Sequence, residues 1–183
     1  IKKVEGFMRR ILVALVMLAA PVLAQEDSVV EPPMTLSRMA EIVFALDEAA
    51  LSNGFSFQLN VDGVTVLIVT DPGADRMRAM SPIRPIDGLA AGELARMMQA
   101  NFDTALDARY AIAQDTLWSV FIHPLSPLKK DQFVSGLGQT VNLAKTYGTF
   151  YTGGALTYGG GDSGGLHRQL IDDLQEKVEP IRF

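Results

Sequence analysis

Between residues 55 and 69 the chain takes up a period of two around a turn of defined geometry. Phe55, Phe57, Leu59 and Val61 alternate with mostly polar neighbours, the pattern of a strand with one face in a core. Asp62-Gly63 follows, a dipeptide that tolerates the positive φ angles of a type I′ turn. Residues 64–69 are nearly all apolar and rich in β-branched side chains, which suits a central strand covered on both faces. Two strands joined by two residues can only pair antiparallel. Any fold for this chain must therefore be built on an antiparallel sheet.

The flanking segments supply the rest of that sheet and its cover. Asp71-Pro72-Gly73 marks another turn, and residues 76–81 alternate again, with Met77 and Ala79 on one face and Arg76, Arg78 and Met80 on the other. Residues 108–113 and 117–122 form a second hairpin around Gln114-Asp115, closed by His123-Pro124. Helical spacing appears three times. Residues 35–53 carry Met39, Val43, Leu46 and Ala50 on one stripe, and Asn53-Gly54 supplies a stop signal. A second helix, starting at 87–89 and running to 102, presents Leu89, Leu94, Met97, Met98 and Phe102. A third, residues 129–147, lines up Phe133, Leu137, Val141 and Ala144. Its Gly136 and Gly138 weaken it by about 1 kcal/mol each relative to Ala unless they permit a close crossing. The order α-βββ-α-ββ-α predicts an α+β fold, a two-layer sandwich with helices on one face of an antiparallel sheet.

Residues 151–165 hold seven glycines in fifteen positions and read as a flexible linker. Residues 166–179 regain amphipathic spacing through Leu166, Leu170, Ile171, Leu174 and Val178, and Pro180 ends them. This tail helix has three options: to dock on its own domain, to dock on a partner, or to stay loose. Alone in water its fourteen residues are marginal.

At the other end, Met8-Arg9-Arg10, the ten-residue apolar run 11–20, Pro21 and Val22-Leu23-Ala24 spell a secretory signal peptide over residues 8–24, cleaved before Gln25. Residues 1–7 precede the first candidate initiator and read as upstream of it. Residues 25–33, ending Pro32-Pro33, read as an extended leader with no packing of its own. The expected location is periplasmic or secreted, with no membrane anchor after cleavage. Cysteine is absent, which excludes a lipidated N-terminal Cys and any disulfide framework. Cleavage removes four cations and one anion, taking the net charge from −5 to −8. So acidic a chain is not expected to bind nucleic acid or an anionic membrane surface.

One segment looks like chemistry. Residues 161–165, Gly-Asp-Ser-Gly-Gly, match the surroundings of the nucleophile in trypsin-like serine proteases, where backbone amides beside the serine form an oxyanion hole. Ser163 lies in the glycine-rich stretch, however, and a nucleophile needs a base held by packed structure. His123 and His167 are the only histidines, and neither has a second ligand at helical spacing. A hydrolase using Ser163 is the weaker reading, and no catalytic, metal or cofactor pattern is expected. Of the eight methionines, Met8, Met17 and Met34 are expected outside the folded core. Met97 and Met98 are adjacent, hence about 100° apart on a helix, so only one suits the core stripe. Trp118, Val120 and Ile122 occupy one face of their strand, and Leu117, Ser119 and Phe121 the other. Both faces thus carry large apolar groups, which points to cover on the second face by another subunit or by the tail helix. The candidate partner-binding residues are Met80, Met97, Met98, Trp118 and Phe121.

The element order resembles the type III secretion chaperone-like fold and, within it, the YbjN-like family of bacterial proteins. The segments that carry the resemblance are Leu51-Ser52-Asn53-Gly54-Phe55 at the end of the first helix and residues 94–122, where a helix runs into Asn101-Phe102 and then a hairpin containing Arg109-Tyr110-Ala111-Ile112. It covers about residues 34–150 and leaves 151–183 as an addition. The resemblance implies a non-enzymatic, usually dimeric protein that binds other polypeptides along its surface. Secretion chaperones act in the cytoplasm, so a signal peptide points to a different client. The functional expectation is an exported chaperone-like module, probed against two alternatives: the Ser163 hydrolase, and an accessory subunit that docks on an envelope complex through its tail helix.

Overall fold

The computed structural model describes residues 31–103, 106–148 and 165–182. Among them the elements run α1 (Leu36–Leu46), β1 (Leu51–Ser52), β2 (Ser56–Val61), β3 (Val64–Asp71), β4 (Arg76–Pro85), α2 (Ala91–Asp103), β5 (Arg109–Ala113), β6 (Thr116–Pro124), α3 (Lys130–Lys145) and α4 (Gly165–Val178). The strands form one antiparallel sheet in the order β1-β2-β3-β4-β6-β5. The proposed signal peptide, the leader up to residue 30 and most of the glycine-rich stretch, including Ser163, lie outside the described residues.

The α+β two-layer sandwich expected from the sequence is the observed architecture. Asp62 and Gly63 both have positive φ, at 50° and 79°, as a type I′ turn requires. Helix α3 packs over β6, β4, β3 and β5, α1 packs on β2, and α2 lies beside β5. Most apolar residues of one strand parity are buried in this layer: Phe57, Leu59 and Val61, then Val66 and Ile68, Met77 and Ala79, Tyr110, Leu117 and Phe121, while Ile112 of the same parity is exposed at the β5 edge.

The first helix is shorter than its periodicity suggests. It starts on Thr35, whose Oγ1 accepts the Arg38 N–H at 3.3 Å, and it stops at Leu46 rather than Asn53. The reason is Asp47, whose backbone turns extended (φ −147°, ψ 104°). Its carboxylate accepts the N–H of Ala49 at 3.0 Å and of Asn60 at 2.7 Å, tying the helix end to β2. The chain then has room for β1, an extra edge strand. Asn53-Gly54 turns β1 into β2: Asn53 Oδ1 accepts the N–H of Phe55 and Ser56, and Gly54 sits at φ 92°. At the far end β4 continues past Ser81 to Pro85 through an irregularity between Pro82 and Arg84. Pro82 is tolerated because β4 pairs with β3 only as far as Met80 and beyond that with β6 alone, so its missing N–H breaks no ladder bond.

Two glycines explain how α3 fits. A Cβ on Gly136 would stand 2.5 Å from the Phe121 ring, and one on Gly138 would stand 2.6 Å from Ile171 of α4. Residues two apart on a helix point about 200° apart, so α3 is approached closely by the sheet on one side and by α4 on the other. Of the three options for the tail, docking on its own domain is the one observed: α4 packs on α3 and α1, with Leu174 and Val178 buried. Lys130 secures both ends of this arrangement. Its backbone N–H is accepted by Glu31 Oε1 at 2.8 Å, and its ammonium donates to the carbonyls of Val178 and Ile181 at the end of α4. Glu31 also pairs with Arg38 at 2.8 Å, whose guanidinium reaches the carbonyls of Pro32 and Pro33. Met34, expected outside the core, is buried in it, because its backbone N–H is fixed on the Ser126 carbonyl at 2.9 Å.

Candidate functional site

The two faces of the sheet are finished differently. On the outer face the pairing register assembles rows across the strands. One row runs Leu51, Gln58, Leu67, Met80, Val120, Arg109. The next runs Ser56, Val69, Arg78, Ile122. Trp118 stands in a third, between Pro82 and Ala111. No described helix packs on this face, since α1, α2 and α3 take the other side or the β5 edge and α4 sits beyond α3. Val69 is 46 % exposed and Ile122 56 % exposed, with Leu67, Met80, Trp118 and Val120 half-buried beside them. A shallow groove of about 350 Å³ opens between β1, β2 and β3, lined by Leu51, Ser56, Gln58, Leu67 and Val69. The expectation that β3 is covered on both faces is therefore corrected. Its outer face is uncovered among the described residues, and the tail helix is not its cover.

The five candidate residues separate into three places. Met80 and Trp118 lie together on the outer face, where the Trp118 indole N–H donates to the Ala113 carbonyl at 3.0 Å. Met98 is exposed on α2. Met97 and Phe121 are corrections: both are buried in the core of the chain itself and offer nothing to a partner. Met97 turns inward because the apolar stripe of α2 faces the core beside β5, and Phe121 shares the parity of Leu117, under Gly136. The residues that give the outer face its character, Leu67, Val69, Val120, Ile122 and Arg78, were not among the candidates. The signal was present in the alternation of residues 76–81 and 117–122, but only the register shows that those half-patterns meet.

A second exposed apolar group lies at the β5 edge. Phe102 is 76 % exposed and Met98 54 %, and Leu106 and Ile112 are exposed nearby in the chain. Asn101 fixes α2 to this edge. Its amide donates to the Tyr110 carbonyl at 3.1 Å and accepts the Tyr110 N–H at 2.7 Å, filling one position of the unpaired strand edge. Gln139, buried on α3, holds the preceding loop by accepting the N–H of Asp107 and Ala108.

His123 is in the penultimate position of β6, stacked on Phe121 with its Nδ1 2.7 Å from the Pro124 carbonyl. Among the described residues no group of three or more His, Cys, Asp or Glu is placed to hold a metal ion. A cleft between β2, α3 and α4 is lined by Asn60, Asp62, Asn142, Lys145, Asp173 and Lys177, among others, and the Lys145–Asp62 ion pair lies along it.

No protein-family model matches this chain, and no curated protein matches it by sequence. Solved structures do. A chain of the ExsC–ExsE complex superposes with a TM-score of 0.50 at 14 % identity, over 67 % of this chain and 99 % of that one. A chain of the HopA1–SchA chaperone–effector complex gives a TM-score of 0.46 at 7 % identity, over 60 % and 91 %. The fold is thus the type III secretion chaperone-like fold that the element order resembles.

Proposed function

We propose that this protein is an exported, non-enzymatic polypeptide-binding module of the YbjN-like kind, acting in the periplasm or outside the cell as a homodimer. The observation that carries the reading is the uncovered outer face of the sheet. A row of apolar side chains from β3, β4 and β6 stands open there, on a fold shared with a chain of the ExsC–ExsE complex. Exposed, contiguous apolar surface is costly unless a partner covers it. Export rests on the signal pattern of residues 8–24. The dimer rests on the second exposed group, Met98 and Phe102 on α2 with Leu106 and Ile112, a surface suited to a second copy. The competing picture, a tail helix offered to an envelope complex, loses its main apolar anchors, because Leu174 and Val178 are buried inside the domain.

A photoreactive residue placed in turn at Ile122, Phe102 and Glu41 tests this in cells, with adducts sought in the envelope fraction. Position 122 should capture foreign polypeptides and position 102 a second copy of the chain. Glu41, exposed on α1, should capture little. Equal labelling from all three positions would defeat the assignment of the two surfaces, and adducts confined to cytoplasm would defeat export.

A further inference from the structure

We propose that the outer face selects acidic, apolar polypeptide segments, with the Arg78 guanidinium pairing with a carboxylate of the bound segment. This rests on the polypeptide-binding reading and adds to it the chemistry of the ligand. The chain carries a net −5, yet its outer sheet face is cationic. Arg76, Arg78 and Arg109 belong to this face by register, and the only carboxylate of the same parity on the described strands is Asp71, at the end of β3 and directly opposite Arg76. Arg109 is engaged by its own loop, donating to the carbonyls of Leu106 and Ala108. Arg78 is different. It is exposed, it forms no ion pair among the described residues, and it stands between Val69 and Ile122, the two most exposed apolar residues in the middle of the face.

That setting fixes what fits. Guanidinium is a planar fork that matches a carboxylate with two parallel hydrogen bonds. Apolar neighbours on both sides would lose water together with it when a segment docks, which strengthens the pair. A nucleic acid would bring many phosphates to the few arginines of this face on an acidic protein and leave Val69 and Ile122 uncovered. An anionic bilayer gains only about 1 kcal/mol per cation and would face the same net repulsion. A segment with apolar side chains flanking Glu or Asp satisfies all three groups. From β1 to β6 the longer row crosses four interstrand steps of about 4.8 Å, so an extended segment of about six residues spans it.

The single tryptophan lies on this face, so Trp118 fluorescence reports occupancy directly. The full protein is titrated with synthetic peptides of about ten residues alternating Val-Glu, Val-Gln, Val-Lys and Ser-Glu, and with phosphatidylglycerol vesicles. Val-Glu should bind at least about fivefold more tightly than Val-Gln, the scale of one partly screened ion pair. Val-Lys and Ser-Glu should be weaker still. Arg78→Gln should erase the difference between Val-Glu and Val-Gln, and Arg78→Glu should transfer the preference to Val-Lys. Both variants replace an exposed residue, and an unchanged thermal melt verifies their fold. Equal affinity for Val-Glu and Val-Gln in the unaltered protein overturns the proposal, as does a preference that survives Arg78→Glu. A response to vesicles without one to peptides, or no response to any peptide at millimolar concentration, also overturns it. If Ile122 still captures polypeptides in cells under any of these outcomes, the polypeptide-binding reading stands and only the acid selection falls.

Discussion

The inner and outer faces of the sheet are made from the same strands and much the same residue types, yet they end in opposite conditions. Inward, Phe57, Ile68, Met77 and Phe121 meet α1 and α3 and are sealed from water. Outward, Leu67, Val69, Met80, Val120 and Ile122 are covered by no described helix. A protein selected only for stability would put polar side chains there, since antiparallel sheets with one solvated face usually alternate apolar and polar. Here, in the middle of the sheet from β3 to β6, the alternation is largely apolar with apolar, interrupted by arginine on β4. The inner face accounts for the fold, and the outer face is the part of the molecule with unspent binding capacity.

Adjacent residues of β3 give the sharpest test of that contrast. Ile68 is 0 % exposed and Val69 46 %. Ile68→Ala should destabilise the protein by about 2–5 kcal/mol, the range for deleting a buried aliphatic side chain. Val69→Ala should cost no more than about 0.5 kcal/mol, as for surface positions without special roles. Urea unfolding of the two variants checks it. A comparable loss in both would mean that the outer face is covered in the folded protein, most simply by the second copy.

The two sides of α3 make the next comparison. Gly136 faces Phe121, and Gly138 faces Ile171. Replacing either with Ala gains about 1 kcal/mol of helix propensity and adds a methyl where none fits. The Phe121 ring is pinned in the core with three of its atoms 2.5–2.7 Å from the new Cβ, so Gly136→Ala should be destabilising by about 1–3 kcal/mol. Ile171 is only half-buried and can yield by moving α4. Gly138→Ala should therefore be milder, within about 1 kcal/mol of neutral, and in an Ile171→Ala background it should become stabilising, by up to about 1 kcal/mol of helix propensity. Chemical denaturation of both single variants and the double variant decides this. A larger loss at Gly138 would show that α4 belongs to the core as firmly as the sheet does.

These contrasts also show what can be read from residues alone. Alternation divides a strand into two sets, but it names the buried set only when the other is polar. In β2 it is: Phe57, Leu59 and Val61 against Gln58 and Asn60. In β6 both sets are apolar, so Phe121 could be taken for a surface residue and Ile122 passed over. Adjacent Met97 and Met98 could be recognised as one inward and one outward, while their assignment waited on where α2 lies. The early end of α1 escaped because Asp47 and Asn60 are thirteen residues apart, and nothing local signals that one will accept a hydrogen bond from the other. Asn53-Gly54 was legible as a chain reversal, but the same dipeptide serves a helix stop and a hairpin, and β1 is too short to declare itself. The docking of α4 turned on Gly138, which the sequence leaves open between a weak spot and a close helix crossing.

Where the two faces meet, at the end of the sheet, the chain is fastened by an exposed polar clasp and the expected effect is the smallest. Asp75 occupies the β3–β4 turn at φ 51°. Its carboxylate accepts the Ser126 N–H at 2.7 Å and the Ser126 hydroxyl at 2.9 Å, linking that turn to the loop leading into α3. These two hydrogen bonds from Ser126, with a lesser contribution from Arg76, favour the ionised form and hold the Asp75 carboxyl below its ordinary range. A carboxylate whose pKa is lowered by folding contributes stability above its unfolded value, about 3.9, and loses it as pH falls through the folded value. An NMR titration of the Asp75 carboxyl carbon should therefore show a midpoint below that of an unstructured aspartate. Ser126→Ala should bring the midpoint back up, because it removes the hydroxyl donor, though only part way, since the stronger backbone donor remains. A midpoint at or above the unstructured value would mean that the clasp is open in solution, and that the β3–β4 turn beside Arg76 and Arg78 is free to move with whatever binds the outer face.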